Sequence, residues 1–148
     1  KARETVNVLF STIKPRMEFT KIFMALKNAG YRLACASNAV RSTVDTALEC
    51  LELKKYFDII VSNQDVSKPK PHFEMYFKIM LALNSKPGET LILEDSHIGR
   101  QAVLDAGCHL LPIIDTYDVK LEKIEAKLNE LNKQIVVRVP WRSNKMNV

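Results

Sequence analysis

The sequence predicts an α/β fold in three layers, a parallel central sheet with helices on both faces. Three observations carry that prediction. Short apolar runs between turn signals alternate with longer amphipathic segments along the chain, with no internal repeat and no linker-like stretch. Three of the short runs end at Ser37, near Ser62 and at Asp95, so they would deliver small polar and acidic groups to one edge of an open sheet, where ligands bind. The length, 148 residues, is one domain's worth and can bury a core.

Each element follows from its residues. Residues 1–14 carry Val6, Leu9, Phe10 and Ile13 at helical spacing, and Pro15 ends the segment. A helix is expected from about Arg16 to Ala29, with Phe19, Ile22, Phe23 and Leu26 inward and Gly30 as its stop. Tyr31 to Ala36 reads as a strand ending in Ser37-Asn38. The next helix carries Val40, Val44, Leu48 and Leu51 on one face, and Asp58 to Val61 is the next strand. The polar loop Ser62 to Pro71 contains Lys68-Pro69-Lys70-Pro71, whose two prolines exclude helix and central strand and stiffen it. Phe73, Tyr76, Phe77, Met80 and Leu83 then outline an amphipathic helix.

The most legible stretch opens after the turn signal Pro87-Gly88. Leu91-Ile92-Leu93 is a strand buried on both faces, and it ends in Glu94-Asp95. Ser96 can cap a helix with Ile98, Ala102, Val103 and Ala106 inward, and Gly107 stands where a left-handed C-terminal cap belongs. Neighbouring strand residues point to opposite faces, so Asp95 is expected to face the site and Glu94 to reach it from the side. His109 to Ile114 is a further strand, with Pro112 marking an edge or a bulge. Val119 to Lys133 is a charged helix whose Leu121, Ile124, Leu128 and Leu131 read as a seam against the sheet. Ile135 to Val139 reads as a last strand, before a loose polar tail.

Bulk composition narrows the function. Hydrophobic residues at 47% and charged residues at 26% are ordinary for a globular domain. No apolar run approaches membrane-spanning length, and no signal peptide is visible. Cys35, Cys50 and Cys108 match no zinc or redox spacing and predict reduced thiols in the cytoplasm. The net charge of +5 suits an anionic substrate, but the dispersed lysines argue against nucleic acid.

At the predicted edge stand a hydroxyl and an amide (Ser37, Asn38), a lysine on a stiff loop (Lys68) and two carboxylates (Glu94, Asp95). A hydroxyl, helix-start N–H groups and an ammonium suit phosphate oxygens. Carboxylates suit Mg²⁺, which takes one or two acids plus phosphate oxygen. Together they describe metal-assisted phosphoryl transfer.

The same residues resemble those of the haloacid dehalogenase-like superfamily, in its β-phosphoglucomutase and phosphoglycolate phosphatase-like branch. The resemblance rests on Leu33 to Asn38, Tyr56-Phe57-Asp58, Ser67 to Pro71, and Leu93 to Ser96 with Gly99, Ala102 and Ala106-Gly107. It spans about Pro15 to Pro112 and implies a Rossmann-like core. It implies Ser37 as the phosphoryl-binding hydroxyl, Asn38 as its orienting amide, and Lys68 as the lysine that neutralises nucleophile and phosphate. Asp95 would be a Mg²⁺ ligand and Glu94 its supporting acid. The family's nucleophile is the first Asp of an Asp-x-Asp pair on an earlier strand, and no such pair occurs in these residues. Asp115 and Asp118 have the wrong spacing and read as a strand end and a cap. The expected organisation is therefore the end of a cap domain at 1–14, the α/β core at 15–140 and a tail at 141–148. The first strand and most of the cap would lie upstream of Lys1, leaving a gap in the sheet whose edge invites self-association.

Three functions stay open at this point: a Mg²⁺-dependent phosphatase or phosphomutase for a small phosphorylated metabolite, a catalytically inactive phosphate- or partner-binding domain, and a basic nucleic-acid accessory. Other conspicuous side chains have plainer readings. His72, His97, Arg100 and Lys70 are expected at the surface, and Trp141 as a packing anchor.

Overall fold

Period-two alternation along the strands assigns the layers. In the computed structural model, which describes residues 17–135, the order is α1 (Met17–Asn28), β1 (Ala34–Ala36), α2 (Arg41–Cys50), β2 (Ile59–Val61), α3 (Glu74–Leu83), β3 (Leu91–Glu94), α4 (His97–Ala106), β4 (His109–Pro112) and α5 (Leu121–Ile135). Ala34, Ala36 and Ile92 pack on α3 and α4, through Met75, Tyr76, Ile79, Met80, Ala102 and Val103. The intervening residues Leu33, Cys35, Leu91 and Leu93 face the other way, onto α1, α2 and α5. Each strand therefore buries both faces, which is why the strands read as unbroken apolar runs.

The strands form two parallel pairs. Ala34 to Ala36 lie beside Ile59 to Val61, and Leu91 to Glu94 lie beside His109 to Pro112. Among the described residues β1 and β3 are not paired with each other. Helices join the two pairs instead. Ile22, Leu26, Ile124 and Leu128 touch both Leu33 and Leu91 in one cluster, and Tyr76 and Met80 share another with Ala36 and Ile92. The α5 stripe is thus a seam against the sheet, as its short heptad pattern predicts.

Local signals end the helices where expected. Ser96 Oγ accepts the Gly99 N–H at the start of α4, and Gly107 closes α4 at φ 73°. Asp115 Oδ1 caps a single turn at Thr116–Asp118. Three expectations need correcting. Helix α3 buries Met75, Tyr76, Ile79 and Met80, while Phe77 stays 41% exposed and packs on Phe73 with ring centroids 4.6 Å apart. Tyr76 and Met80 are inward as expected; the departure is Phe77, whose place on the inner face is taken by Met75 and Ile79. In α4, Ile98 is outside and Gly99 takes the inward position. Ile135 ends α5 and is helical; the remainder of its proposed strand lies outside the described residues, as do segments 1–14 and 141–148. Among the described residues no helix is long and apolar enough to cross a membrane.

The helix phase is testable. Met75→Ala removes a side chain with no exposed surface and should cost about 2–5 kcal/mol of unfolding free energy in urea titration. Phe77→Ala should cost less than about 1 kcal/mol.

Candidate active site

The C-terminal ends of β1 and β3 meet at one ammonium. Lys70 Nζ donates to the Ala36 carbonyl at 3.0 Å and to Glu94 Oε2 at 2.9 Å. Both charged side chains are nearly sequestered, with 10% of the lysine and 8% of the glutamate exposed. The loop is held in place by Asn38, at the end of β1. Its Oδ1 accepts the Lys70 N–H and its Nδ2 donates to the Lys70 carbonyl, both at 3.0 Å. The Lys70-Pro71 peptide is cis.

Glu94 is the most heavily bonded side chain at this edge. Oε1 accepts the N–H groups of Asp95 and Ser96 at 3.1 Å and the Ser96 hydroxyl at 3.0 Å. Oε2 accepts Tyr76 O–H at 3.1 Å beside the Lys70 contact. Five donors occupy a group with roughly four lone-pair positions. Burial pushes the Glu94 pKa up, but the Lys70 and Ser96 hydrogen bonds outweigh it and hold the acid at about 2. Burial and the Glu94 charge raise the Tyr76 phenol, so it stays a donor. Burial also raises Cys35, against the opposing pull of Lys70 and Arg41.

Gly99 is the space this carboxylate occupies. A Cβ there would overlap Glu94 Cδ, Oε2 and Cγ. Arg100 finishes the edge on the β4 side, donating from Nε to the Glu94 carbonyl at 3.3 Å and from Nη2 to the Ile113 carbonyl at 2.9 Å. Ser37 follows Ala36, and its N–H is tied to the Val61 carbonyl. Ser37 Oγ accepts the Ala39 N–H at 3.1 Å, which leaves its own proton to donate.

The structure therefore brings together Ser37, Asn38 and Glu94 with Asp95 beside them, and it corrects three assignments. Lys68 is exposed, and its N–H, with that of Ser67, is held by the Glu74 carboxylate. Lys70 takes the place expected of Lys68. The tandem Lys-Pro repeat permits two registers two residues apart, and the anchoring of each lysine's amide selects between them. Glu94, not Asp95, points inward: as the last residue of β3 it shares the face of Ile92, toward α3 and α4. Asp95, beyond the strand, is exposed. Arg100 bonds two strand ends where a solvent-facing role was expected. Tyr76 was absent from the sequence-level site, where it read only as an inward residue of its helix. His97 is exposed, as expected.

As a metal site the cluster is partial. Asp95 offers a free hard-oxygen carboxylate at a strand end, which fits one ligand position of Mg²⁺. Glu94 has its oxygens occupied by protein donors. Among the described residues no group of three His, Cys, Asp or Glu side chains could hold a metal.

The chain is similar to known proteins in sequence and fold. Residues 1–113 match the family model of the haloacid dehalogenase-like hydrolases. An uncharacterised Haemophilus influenzae protein is 31% identical over 114 residues, 77% of this chain and 52% of that protein. Pyrophosphatase PpaX of Bacillus mycoides is 38% identical over 72 residues, 49% of this chain and 34% of its own. The chain thus spans about half or less of these relatives' length. Among solved structures, a Thermotoga maritima protein assigned as a β-phosphoglucomutase superposes with TM-score 0.73 at 25% identity, covering 84% of this chain and 64% of its own. CbbY of Rhodobacter sphaeroides, in complex with xylulose-1,5-bisphosphate, superposes with TM-score 0.63 at 26% identity, covering 69% and 47%.

Three outcomes test the site. Lys70→Ala leaves a buried acid unpaired and should cost about 3–5 kcal/mol, whereas Lys68→Ala should stay within about 0.5 kcal/mol of the parent. Because the Glu94 pKa is depressed, its stabilisation is full above the ordinary 4.5 and is lost as pH falls from there toward about 2. Lys70→Ala should move the acid-unfolding midpoint, followed by circular dichroism, to higher pH. Separately, Gly99→Ala should displace the Glu94 carboxylate and lower the melting temperature by several degrees, for an expected loss above about 1 kcal/mol.

Proposed function

Because the chain belongs to the haloacid dehalogenase-like hydrolases, we propose that it forms the core of a Mg²⁺-dependent phosphoryl-transfer enzyme, a phosphatase or phosphomutase for a small phosphorylated metabolite. One observation supports this above the others: a buried ammonium, Lys70, ties together the two strand ends that present Ser37 and Asp95. The names of the relatives point the same way, one a pyrophosphatase and one holding a sugar bisphosphate.

In this reading Ser37 donates its free proton to a phosphoryl oxygen. The Lys70 charge offsets the negative charge that gathers at the edge during transfer. Asn38 acts on Lys70, holding its backbone so that the ammonium lies between the strands. Asp95 is the residue that would hold Mg²⁺, and Glu94 supports it by fixing the Asp95 N–H. The metal, when bound, supplies charge neutralisation at the phosphoryl oxygens.

None of these groups is a nucleophile with a base beside it, and the 148 residues contain no Asp-x-Asp pair. The same proposal therefore holds that residues 1–148 alone are inactive, and that activity needs an Asp-x-Asp strand joined ahead of Lys1. It places the enzyme in the cytoplasm, in keeping with Cys35, Cys50 and Cys108 as free thiols.

The test is turnover of an aryl phosphate by residues 1–148 and by a longer polypeptide carrying an Asp-x-Asp strand ahead of Lys1, each with Mg²⁺ and with EDTA. The longer polypeptide should show EDTA-sensitive turnover that Asp95→Asn lowers at least tenfold, and the 148-residue chain none. Metal-dependent turnover by the short chain would refute the assignment of the missing nucleophile. An inactive long polypeptide that still binds phosphate would favour the non-catalytic reading.

A further inference from the structure

We propose that Arg100 is a positioning residue for Asp95: it replaces the next rung of the β3–β4 ladder, so that the chain leaves the sheet at Asp95 with its backbone held. The inference rests on the reading above in which Asp95 would hold Mg²⁺, and it concerns a side chain to which that reading gives no part.

The ladder carries the argument. In a parallel pair the hydrogen bonds are evenly spaced, and alternate residues of each strand bond across the gap. The register sets Leu91 beside His109 and Glu94 beside Pro112. His109 N–H donates to the Thr90 carbonyl at 3.0 Å, and Ile113 N–H donates to the Glu94 carbonyl at 3.1 Å. Carried one step further, the same pattern calls for the Ser96 N–H to donate to the Ile113 carbonyl. Instead the Ser96 N–H turns to Glu94 Oε1 at 3.1 Å, and Arg100 Nη2 takes the Ile113 carbonyl at 2.9 Å. Nε of the same guanidinium reaches the Glu94 carbonyl, the acceptor of the preceding rung, at 3.3 Å. One planar fork therefore spans the two carbonyls at which the ladder stops, which a single ammonium could not match.

The consequence falls on Asp95. The peptide group before its Cα is held at the carbonyl by Ile113 and Arg100, and at the N–H by Glu94 Oε1 at 3.1 Å. The peptide group after it is held at the Ser96 N–H by the same oxygen. Each group is planar, so pinning both fixes the direction of the Asp95 Cα–Cβ bond. The Asp95 carboxylate is exposed and has no partner of its own among the described residues, so the backbone is what aims it. Without Arg100 the Ile113 carbonyl lacks its donor. The Ser96 N–H would then complete the rung, leave Glu94 and turn the peptide group that follows Asp95.

Charge and geometry predict opposite signs. A guanidinium bonded to the peptide next to Asp95 repels a divalent cation, so its removal would tighten metal binding if charge alone mattered. Loss of positioning weakens binding instead.

The experiment uses the longer polypeptide with an Asp-x-Asp strand ahead of Lys1, as parent, Arg100→Met, Val103→Ala and Asp95→Asn. Val103 is fully buried on the same helix, so its truncation reports what lost stability does alone. Electron paramagnetic resonance reads Mn²⁺ binding without substrate, and NMR couplings across hydrogen bonds identify the acceptor of the Ser96 N–H. Arg100→Met should weaken Mn²⁺ binding about tenfold or more and move the Ser96 N–H to the Ile113 carbonyl, while Val103→Ala stays within about twofold of the parent. Unchanged or tighter binding by Arg100→Met, an equal loss in Val103→Ala, or a Ser96 N–H that stays on Glu94 would overturn the proposal. Failure of the underlying reading has a different signature: a parent that binds no Mn²⁺, or Asp95→Asn binding as the parent does, removes Asp95 from the metal site and the proposal with it.

Discussion

A buried ion pair, Lys70 with Glu94, is the constraint around which this edge of the molecule is arranged. Two charges removed from water cost several kcal/mol each, and their attraction offsets that cost only when the remaining lone pairs and protons are also satisfied. Here they are. The Ala36 carbonyl takes a second proton of the ammonium, and Tyr76, Asp95 and Ser96 complete the carboxylate. The net contribution of such a pair is small, but the loss of either partner is expensive. That asymmetry fixes the position of every group that touches it.

Several local features make sense only against this pair. Gly99 is small because the carboxylate lies against its Cα. Ser96 serves twice, capping α4 through Gly99 and bonding Glu94 through the same oxygen. Protonation of the acid therefore acts on the first turn of α4 as well as on Lys70. Arg100, one turn along, ties the Glu94 and Ile113 carbonyls and so fixes the relation of β3 to β4 at the same edge. Stability and the candidate chemistry share these atoms, which is common where preorganised charge must be held without water.

Much of the fold was legible in the sequence because burial on both faces leaves unbroken apolar runs and because the turn residues at Pro87-Gly88, Ser96 and Gly107 carry their own geometry. The α4 helix, its cap and the preceding strand were readable for that reason. The phase of α3 was legible only in part: Tyr76 and Met80 are inward as read, but Phe77 competes with Met75 and Ile79 for the inner face, and only packing decides. The site was legible as a set of strand ends but not in register. Lys68-Pro69 and Lys70-Pro71 are indistinguishable as local sequence. What separates them is the long-range grip of Asn38 on Lys70 and the reach of Tyr76 to Glu94, and neither leaves a trace in spacing along the chain. The inward turn of Glu94 was open to the alternation rule and was missed because strand length was uncertain by one residue.

The double bond from Asn38 to the Lys70 peptide has a mechanical consequence. One attachment would let the proline loop pivot; two antiparallel ones, to the N–H and the carbonyl of one residue, block rotation as well as translation. The loop then moves with β1 as a single body. It is a poor candidate for a lid, and any gating of the edge falls to whatever covers it from outside the sheet.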